Sequence, residues 1–203
     1  MHKHIITLLP LLFIACATPS TPEEKVTDEL GCTMALPADA VALQTIDGDF
    51  DGDGTQERAT LYHVPKQHTI ASDSTPVKSE DERYIVAFDD KDITPKISEQ
   101  RLSHLTLIGD INADGRDEYG LFTHSANNSS WGNYSAFCNR DSEWKNIATT
   151  TLNISLLERI ESDVEIEKLI TADPTENGYA LIQHVVIIDG VKAQTSIEKV
   201  ALN

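Results

Sequence analysis

The residues best suited to chemistry lie in two acidic decapeptides, GDFDGDGTQE from Gly48 to Glu57 and GDINADGRDE from Gly109 to Glu118. In register, both read Gly, Asp, apolar, Asp or Asn, small, Asp, Gly, two free positions, Glu. Counted from the first aspartate, oxygen-bearing side chains fall at positions one, three, five and nine. They are Asp49, Asp51, Asp53 and Glu57 in the first copy, and Asp110, Asn112, Asp114 and Glu118 in the second. The glycine at position six, Gly54 or Gly115, permits a sharp turn, and the backbone carbonyls of Thr55 and Arg116 at position seven would add another oxygen. This is the pattern a chain needs to wrap one hard cation, since calcium takes about six to eight oxygens from carboxylates and carbonyls.

Charge supports an ion over a solvated acidic turn. Four carboxylates converging in the first loop repel one another, at roughly 4 kcal/mol per pair about 4 Å apart with an effective dielectric near 20. A divalent cation removes that cost. The second loop has the neutral Asn112 where the first has Asp51, so it carries one negative charge fewer and is expected to bind more weakly. Two ions are expected in all.

The flanking segments say what must hold these loops. An EF-hand requires a bidentate glutamate at position twelve and a helix on each side, but position twelve is Thr60 in one copy and Leu121 in the other. VALQTI (Val41 to Ile46) and LTLI (Leu105 to Ile108) precede the loops, and ATLYHV (Ala59 to Val64) and YGLFTH (Tyr119 to His124) follow them. These β-type runs predict strand, acidic loop, strand: a hairpin closed around an ion. Further strands are predicted at Tyr84 to Phe88, Tyr134 to Cys138 and around Trp144 to Thr149. A C-terminal hairpin is predicted with its turn at Asp189 and Gly190. The stretch between Pro65 and Arg83 and the polar SANNSSWGN (Ser125 to Asn133) read as loops, with Trp131 either an exposed protein-contact anchor or a core residue. SLLERIESDVEIEKLI fits helical spacing at Leu157, Ile160 and Val164 and alternation at Val164 and Ile166; the β-rich surroundings favour strand and loop.

GDxDxDGxxE between two strands resembles the FG-GAP, or integrin-α type, calcium hairpin found in β-propeller blades and related repeat modules. The resemblance covers the two decapeptides and their flanking strands. It implies calcium ligands at Asp49, Asp51, Asp53 and Glu57, and at Asp110, Asn112, Asp114 and Glu118. Propellers close with about four to eight four-stranded blades, whereas a repeat of about 60 residues leaves room for about three. The expected fold is therefore all-β, a partial, open β-propeller-like arrangement of about three blades with two calcium-binding hairpin loops.

Residues 1–15 read as a lipoprotein signal peptide, with a short basic start and the apolar core IITLLPLLFIA, too short to span a bilayer. It ends in FIAC, which is similar to the lipobox of bacterial lipoproteins, with Cys16 as the lipidated residue. Ala17 after that cysteine is what enterobacterial lipoproteins associate with outer-membrane sorting. Residues 16–31 carry Cys16 and a Pro- and Ser/Thr-rich flexible tether, leaving 32–203 as one domain. With Cys16 assigned to the lipid, Cys32 and Cys138 remain as an even pair in the oxidising compartment that export implies. A bridge between them would close a loop of about 100 residues, worth up to about 4.7 kcal/mol; the alternative is two buried free thiols.

The formal net charge of −17 repels nucleic acid and anionic lipid head groups and favours a basic protein partner, the alternative being that the acidity outside the two loops is a solvated face. Membrane contact is expected only through the lipid. No HExxH, GxSxG or glycine-rich phosphate loop occurs in the sequence. His63, His124 and His184 lie in predicted strands, where satisfied or outward-facing histidines are the common case. The chain therefore reads as non-enzymatic. Small lipoproteins with this kind of loop resemble bacterial lysozyme inhibitors and immunity proteins against envelope-targeting effectors. That resemblance implies a periplasmic protein that blocks a secreted toxin or lysozyme. The alternative is a structural or envelope-assembly lipoprotein that uses calcium only for stability.

Overall fold

The computed structural model describes residues 36–66, 82–126, 129–157, 164–188 and 192–202. The signal peptide, Cys16, the tether, Cys32, most of the Pro65 to Arg83 stretch and the Asp189–Gly190 turn lie outside the described residues. The protein is all-β, built from three antiparallel sheets, none of them closed.

Two of the sheets repeat one plan. The first runs in the order β1 (Val41–Gly48), β2 (Glu57–Val64), β3 (Arg83–Phe88), β4 (Lys96–Ser98). The second runs in the order β5 (Leu102–Gly109), β6 (Glu118–His124), β7 (Trp131–Arg140), β8 (Glu143–Asn153). Each opens with a hairpin whose loop is one of the acidic decapeptides, with Gly48 opposite Glu57 and Gly109 opposite Glu118. The third sheet has the order β11 (Lys192–Ala201), β10 (Tyr179–Ile188), β9 (Ile170–Ala172).

Alternation along the strands decides how the sheets stack, because successive side chains leave a strand on opposite faces. Ala59, Leu61, Tyr84, Val86 and Phe88 join Leu105, Tyr119, Leu121 and Phe137 of the second sheet in one core. On the other face of β2 and β3, Tyr62, Val64, Ile85 and Ala87 are covered by Leu36 and Ala40. The second sheet sends Phe122, Tyr134, Ala136, Ala148 and Leu152 the opposite way, onto Ile170, Ala180 and Ile182 of the third. It is thus the middle layer, apolar on both faces. Its packing is close: a Cβ on Gly120 would stand 1.9 Å from the Tyr134 hydroxyl, which hydrogen-bonds Thr106 Oγ1 at 2.6 Å.

Two segments differ from the sequence reading. Within the 155–170 stretch, expected to be strand and loop, the described residues form a helical turn, α1 (Ile154–Leu157), and a 3₁₀ turn (Ile166–Lys168) before β9 begins. The reason is packing. Ile154 and Leu157, three apart, share a helical face that covers the second core. In SANNSSWGN, the strand begins earlier than expected, at Trp131, whose side chain is 53% exposed. The core reading for this tryptophan is overturned, since the side chain is exposed.

The third sheet is tied by an ion pair. Asp173, just beyond β9, pairs with Lys199 on β11, and its Oδ1 accepts from the Thr175 N–H and hydroxyl at 2.8 and 2.6 Å. The hydrogen bond from Lys199, aided by those from Thr175, holds the Asp173 carboxyl down to about 2. A depressed carboxylate adds stability that is present above its unfolded value, near 3.9, and lost as pH falls toward the folded one. Asp173→Asn is therefore expected to lower the urea midpoint at pH 6, with the gap from wild type closing between about pH 4 and 2. A gap independent of pH would contradict this.

Candidate metal centre

The first acidic loop is a carboxylate cage wound on its own backbone. Asp49 accepts from the N–H groups of Gly52 through Oδ1 (2.8 Å) and Gly54 through Oδ2 (3.0 Å). Asp51 Oδ1 accepts from the Asp53 N–H at 3.0 Å, and Asp53 Oδ1 from the Thr55 N–H at 2.7 Å. Such side chain-to-backbone bonds are how aspartate closes tight turns. They require the chain to double back at position six, where Gly54 has φ +88° and Gly115 +87°. That is a left-handed conformation glycine adopts without steric cost. One oxygen each from Asp49, Asp51, Asp53 and Glu57 lies within 4.8 Å of the others, so all four predicted side chains converge.

Position nine closes the cage from below. Glu57 is 5% exposed and its Oε2 accepts from the Phe50 N–H at 2.8 Å. Burial pushes its carboxyl up to about 7; the Phe50 bond pulls the other way, and Asp51, Asp49 and Asp53 push it further up. Glu118 repeats the arrangement, fully buried, with Oε2 accepting from Ile111 N–H at 2.9 Å. Its carboxyl is pushed up to about 8 by burial, with Asp114 and Asp110 adding to the effect and the bonds from Ile111 and Asn112 opposing it. A buried acid among like charges is in the environment a divalent cation relieves.

The second loop has the same backbone scaffold but a different polar balance. Asp110 holds the N–H groups of Asp114 and Gly115, and Asp114 holds that of Arg116. Asn112 accepts from Asp114 N–H through Oδ1 and donates from Nδ2 to Glu118 Oε1 at 2.7 Å. An amide N–H thus already occupies the glutamate oxygen that would face an ion. Among the described residues, the first loop's carboxylates are the group of His, Cys, Asp or Glu side chains that converges closely enough to hold a metal ion by itself.

Three features of the site were absent from the sequence reading. Asp117 joins the two loops: its Oδ2 accepts from Asp49 N–H at 2.9 Å and its own N–H donates to Asp49 O at 2.7 Å. Gly48 makes room for this, since a Cβ there would stand 3.2 Å from Asp117 Oδ2 and 2.7 Å from Leu107 Cδ1. Arg116, singled out for its carbonyl, also reaches across with its side chain to donate to Asn139 O at 2.8 Å. It lines a cavity of about 380 Å³ with Asp51, Asp92 and Arg140. Third, the apolar residue at position two of each loop, Phe50 or Ile111, is buried and plugs its loop into a core. Only this last feature had a sequence signal, an apolar residue recurring inside an acidic run.

The remaining singled-out residues are accounted for locally. His63 Nε2 bonds Glu82 at 2.7 Å, and His184 Nε2 bonds Glu198 at 2.8 Å. Cys138 is buried on β7, and burial pushes its thiol up; among the described residues it is a free cysteine. No known protein family, curated protein or solved structure matches this chain.

Proposed function

We propose that this chain is a lipid-anchored periplasmic calcium-binding protein that holds a basic secreted protein, an envelope-targeting toxin or a lysozyme, and blocks its action. In this reading, the sheets are about three blades of an open propeller-like body, and the first acidic loop is its stronger calcium site. The observation that carries it is the convergence of Asp49, Asp51, Asp53 and Glu57 within 4.8 Å, in a loop whose register recurs in the next sheet. The four side chains would supply carboxylate oxygens, with the Thr55 carbonyl beside them. Calcium's part is structural, neutralising the loop and stiffening the junction that Asp117 makes with the second loop.

The partner reading draws on charge and on the exposed apolar residues. A net charge of −17 steers cationic proteins toward the surface. Trp131 and, on the edge strand β1, Val41 and Leu43 are exposed, and aromatic anchors of this kind dominate binding where they are buried by a partner. The interlocked loops also suit the runner-up, a structural envelope lipoprotein, because they stabilise the scaffold itself. Affinity capture with the calcium-loaded mature domain separates the two. Salt-sensitive retention of a cationic lysozyme or of a toxin encoded beside the gene is expected. Recovery of envelope proteins only, with no hydrolase or toxin, would overturn the inhibitor reading.

A further inference from the structure

At the end of the sheets opposite the acidic loops, a serine hydroxyl lies between two imidazoles. Ser103 Oγ is 2.9 Å from His124 Nε2 and 2.8 Å from His104 Nδ1, while His124 Nδ1 is 2.7 Å from the carbonyl oxygen of Ser129. We propose that Ser103 is the nucleophile, and His124 the general base, of an esterase site for small acyl esters of polyhydroxylated alcohols. This goes beyond the binding function proposed above and does not depend on it.

The hydrogen-bond directions follow from the partners. A carbonyl oxygen only accepts, so His124 Nδ1 carries the proton and, in the neutral ring, Nε2 offers its lone pair. Ser103 has one proton to give, and it goes to His124 Nε2. The bond from His104 must then run the other way, with Nδ1–H donating to Ser103 Oγ. The serine is thus aimed at a base that a third group orients, while a second donor faces its oxygen. Those are the relations an activated hydroxyl needs, whatever the order of the residues along the chain.

Three further observations show that the arrangement is held. His124 is 4% exposed, and its backbone N–H donates to Arg101 O at 3.0 Å. The fully buried Phe122 ring packs edge-on against both imidazoles, with centroids 4.8 Å from His124 and 6.1 Å from His104. His104 itself sits at φ +53°, where β5 loses register between Ser103 and Thr106. A non-glycine residue in the left-handed region within a strand is strained, and such strain concentrates where a side chain must be aimed.

Ser103 lies where two cavities meet. One, of about 210 Å³, is lined by His104, His124, Ser130, Ile154 and Arg101 as well as Ser103, and fits an acetyl-sized group. The other, of about 380 Å³, is lined by His63, Glu82, Tyr84, Arg101 and Ser103. His63 stacks on Tyr84 at 4.8 Å and bonds Glu82, giving a wall of polar aromatic and carboxylate groups suited to hydroxyl-rich alcohols. Arg101 lines both cavities beside Ser103.

The reaction balances with water as the only co-reactant. Ser103 Oγ bonds to the ester carbonyl carbon as its proton passes to His124 Nε2. The carbon–oxygen bond to the alcohol then breaks, and the alcohol oxygen leaves with the electron pair and takes that proton. Water attacks the acyl carbon and gives a proton to His124, the acid departs, and Ser103 Oγ recovers its proton. Ser129 and His104 are positioning residues, acting through His124 and Ser103.

The test treats the mature domain with a fluorophosphonate and locates the adduct by mass spectrometry, beside hydrolysis of p-nitrophenyl acetate and p-nitrophenyl octanoate. The expected result is an adduct on Ser103, blocked by prior treatment with a short-chain ester analogue, and acetate turnover at least tenfold above octanoate. Ser103→Ala should remove the adduct and reduce acetate hydrolysis at least a hundredfold while the melting temperature stays within a few degrees. His124→Asn, where it folds, should do the same; where it does not, the wild-type adduct and Ser103→Ala decide. Absence of a Ser103 adduct, turnover in Ser103→Ala within twofold of wild type, or undiminished labelling in a folded His124→Asn would each overturn the proposal.

Discussion

Calcium added at 10 mM to chelator-treated mature domain is expected to raise its melting temperature by about 5–10 °C. Exported calcium modules bind at about 10⁻⁴ to 10⁻³ M. At about a hundredfold excess over the tighter limit, binding to the folded state alone is worth about 2.7 kcal/mol. A domain of this length shifts by roughly 2–4 °C per kcal/mol. The effect should reside in the first loop. Asp51→Ala removes one of its four converging carboxylates and is expected to abolish most of the shift. In chelator, the same variant should melt within a few degrees of wild type, because the hydrogen bond it loses to Asp53 N–H, worth about 1 kcal/mol, is offset by relieved repulsion.

The second loop supplies the internal comparison. Asn112 donates to Glu118 where an ion would otherwise sit, so Asp114→Ala should reduce the calcium shift by less than Asp51→Ala. Magnesium, smaller and reluctant to shed water, should substitute poorly. The measurement is a thermal melt titrated with each ion. Equal melting in chelator and in calcium would remove the metal centre from the account, while equal effects of the two alanines would remove the asymmetry.

The second large effect concerns the plug beneath the first loop. Phe50 is fully buried, with its ring edge-on to Phe88 at 5.3 Å and to Tyr119 and Trp144 at 6.3 Å each. Phe50→Ala leaves a cavity among these rings and is expected to cost about 3–5 kcal/mol, a drop of about 6–20 °C in melting temperature. Because the Phe50 N–H also holds Glu57 Oε2, collapse around the cavity should weaken calcium binding with no ligand removed. Phe50→Leu, keeping much of the volume, should recover about half of the lost stability. Thr55→Ala, at an exposed loop position, should stay within about 0.5 kcal/mol. A melting temperature for Phe50→Ala within 2 °C of wild type would mean the loop is not anchored through this ring.

The strand–loop–strand units were legible because both signals are local. Apolar-rich β-type runs at Ala59 to Val64 and Tyr119 to His124 mark strands that the core buries. The regularly spaced aspartates just before each run leave little other than a tight turn. The short β4 and β9 leave no signal in the sequence because three residues, as in Lys96–Ser98 and Ile170–Ala172, are too few to show a period. The helical turn at Ile154–Leu157 forms because those two residues cover the core between the second and third sheets, a demand made by packing rather than by neighbours in sequence.

What the chain determined by itself is the all-β class, the two acidic hairpin loops and their oxygen-bearing residues, since each depends on spacing within about ten residues and the backbone enforces spacing directly. Tertiary structure alone decided the rest: which sheet lies in the middle, that Asp117 ties one loop to the other, that Glu57 is buried beneath its neighbours, and that Ser103 meets His124. The physical reason is the same in each case. Most of these contacts join residues far apart along the chain, and all of them depend on stacking the apolar faces of three sheets, which leaves each polar group only a few partners within reach.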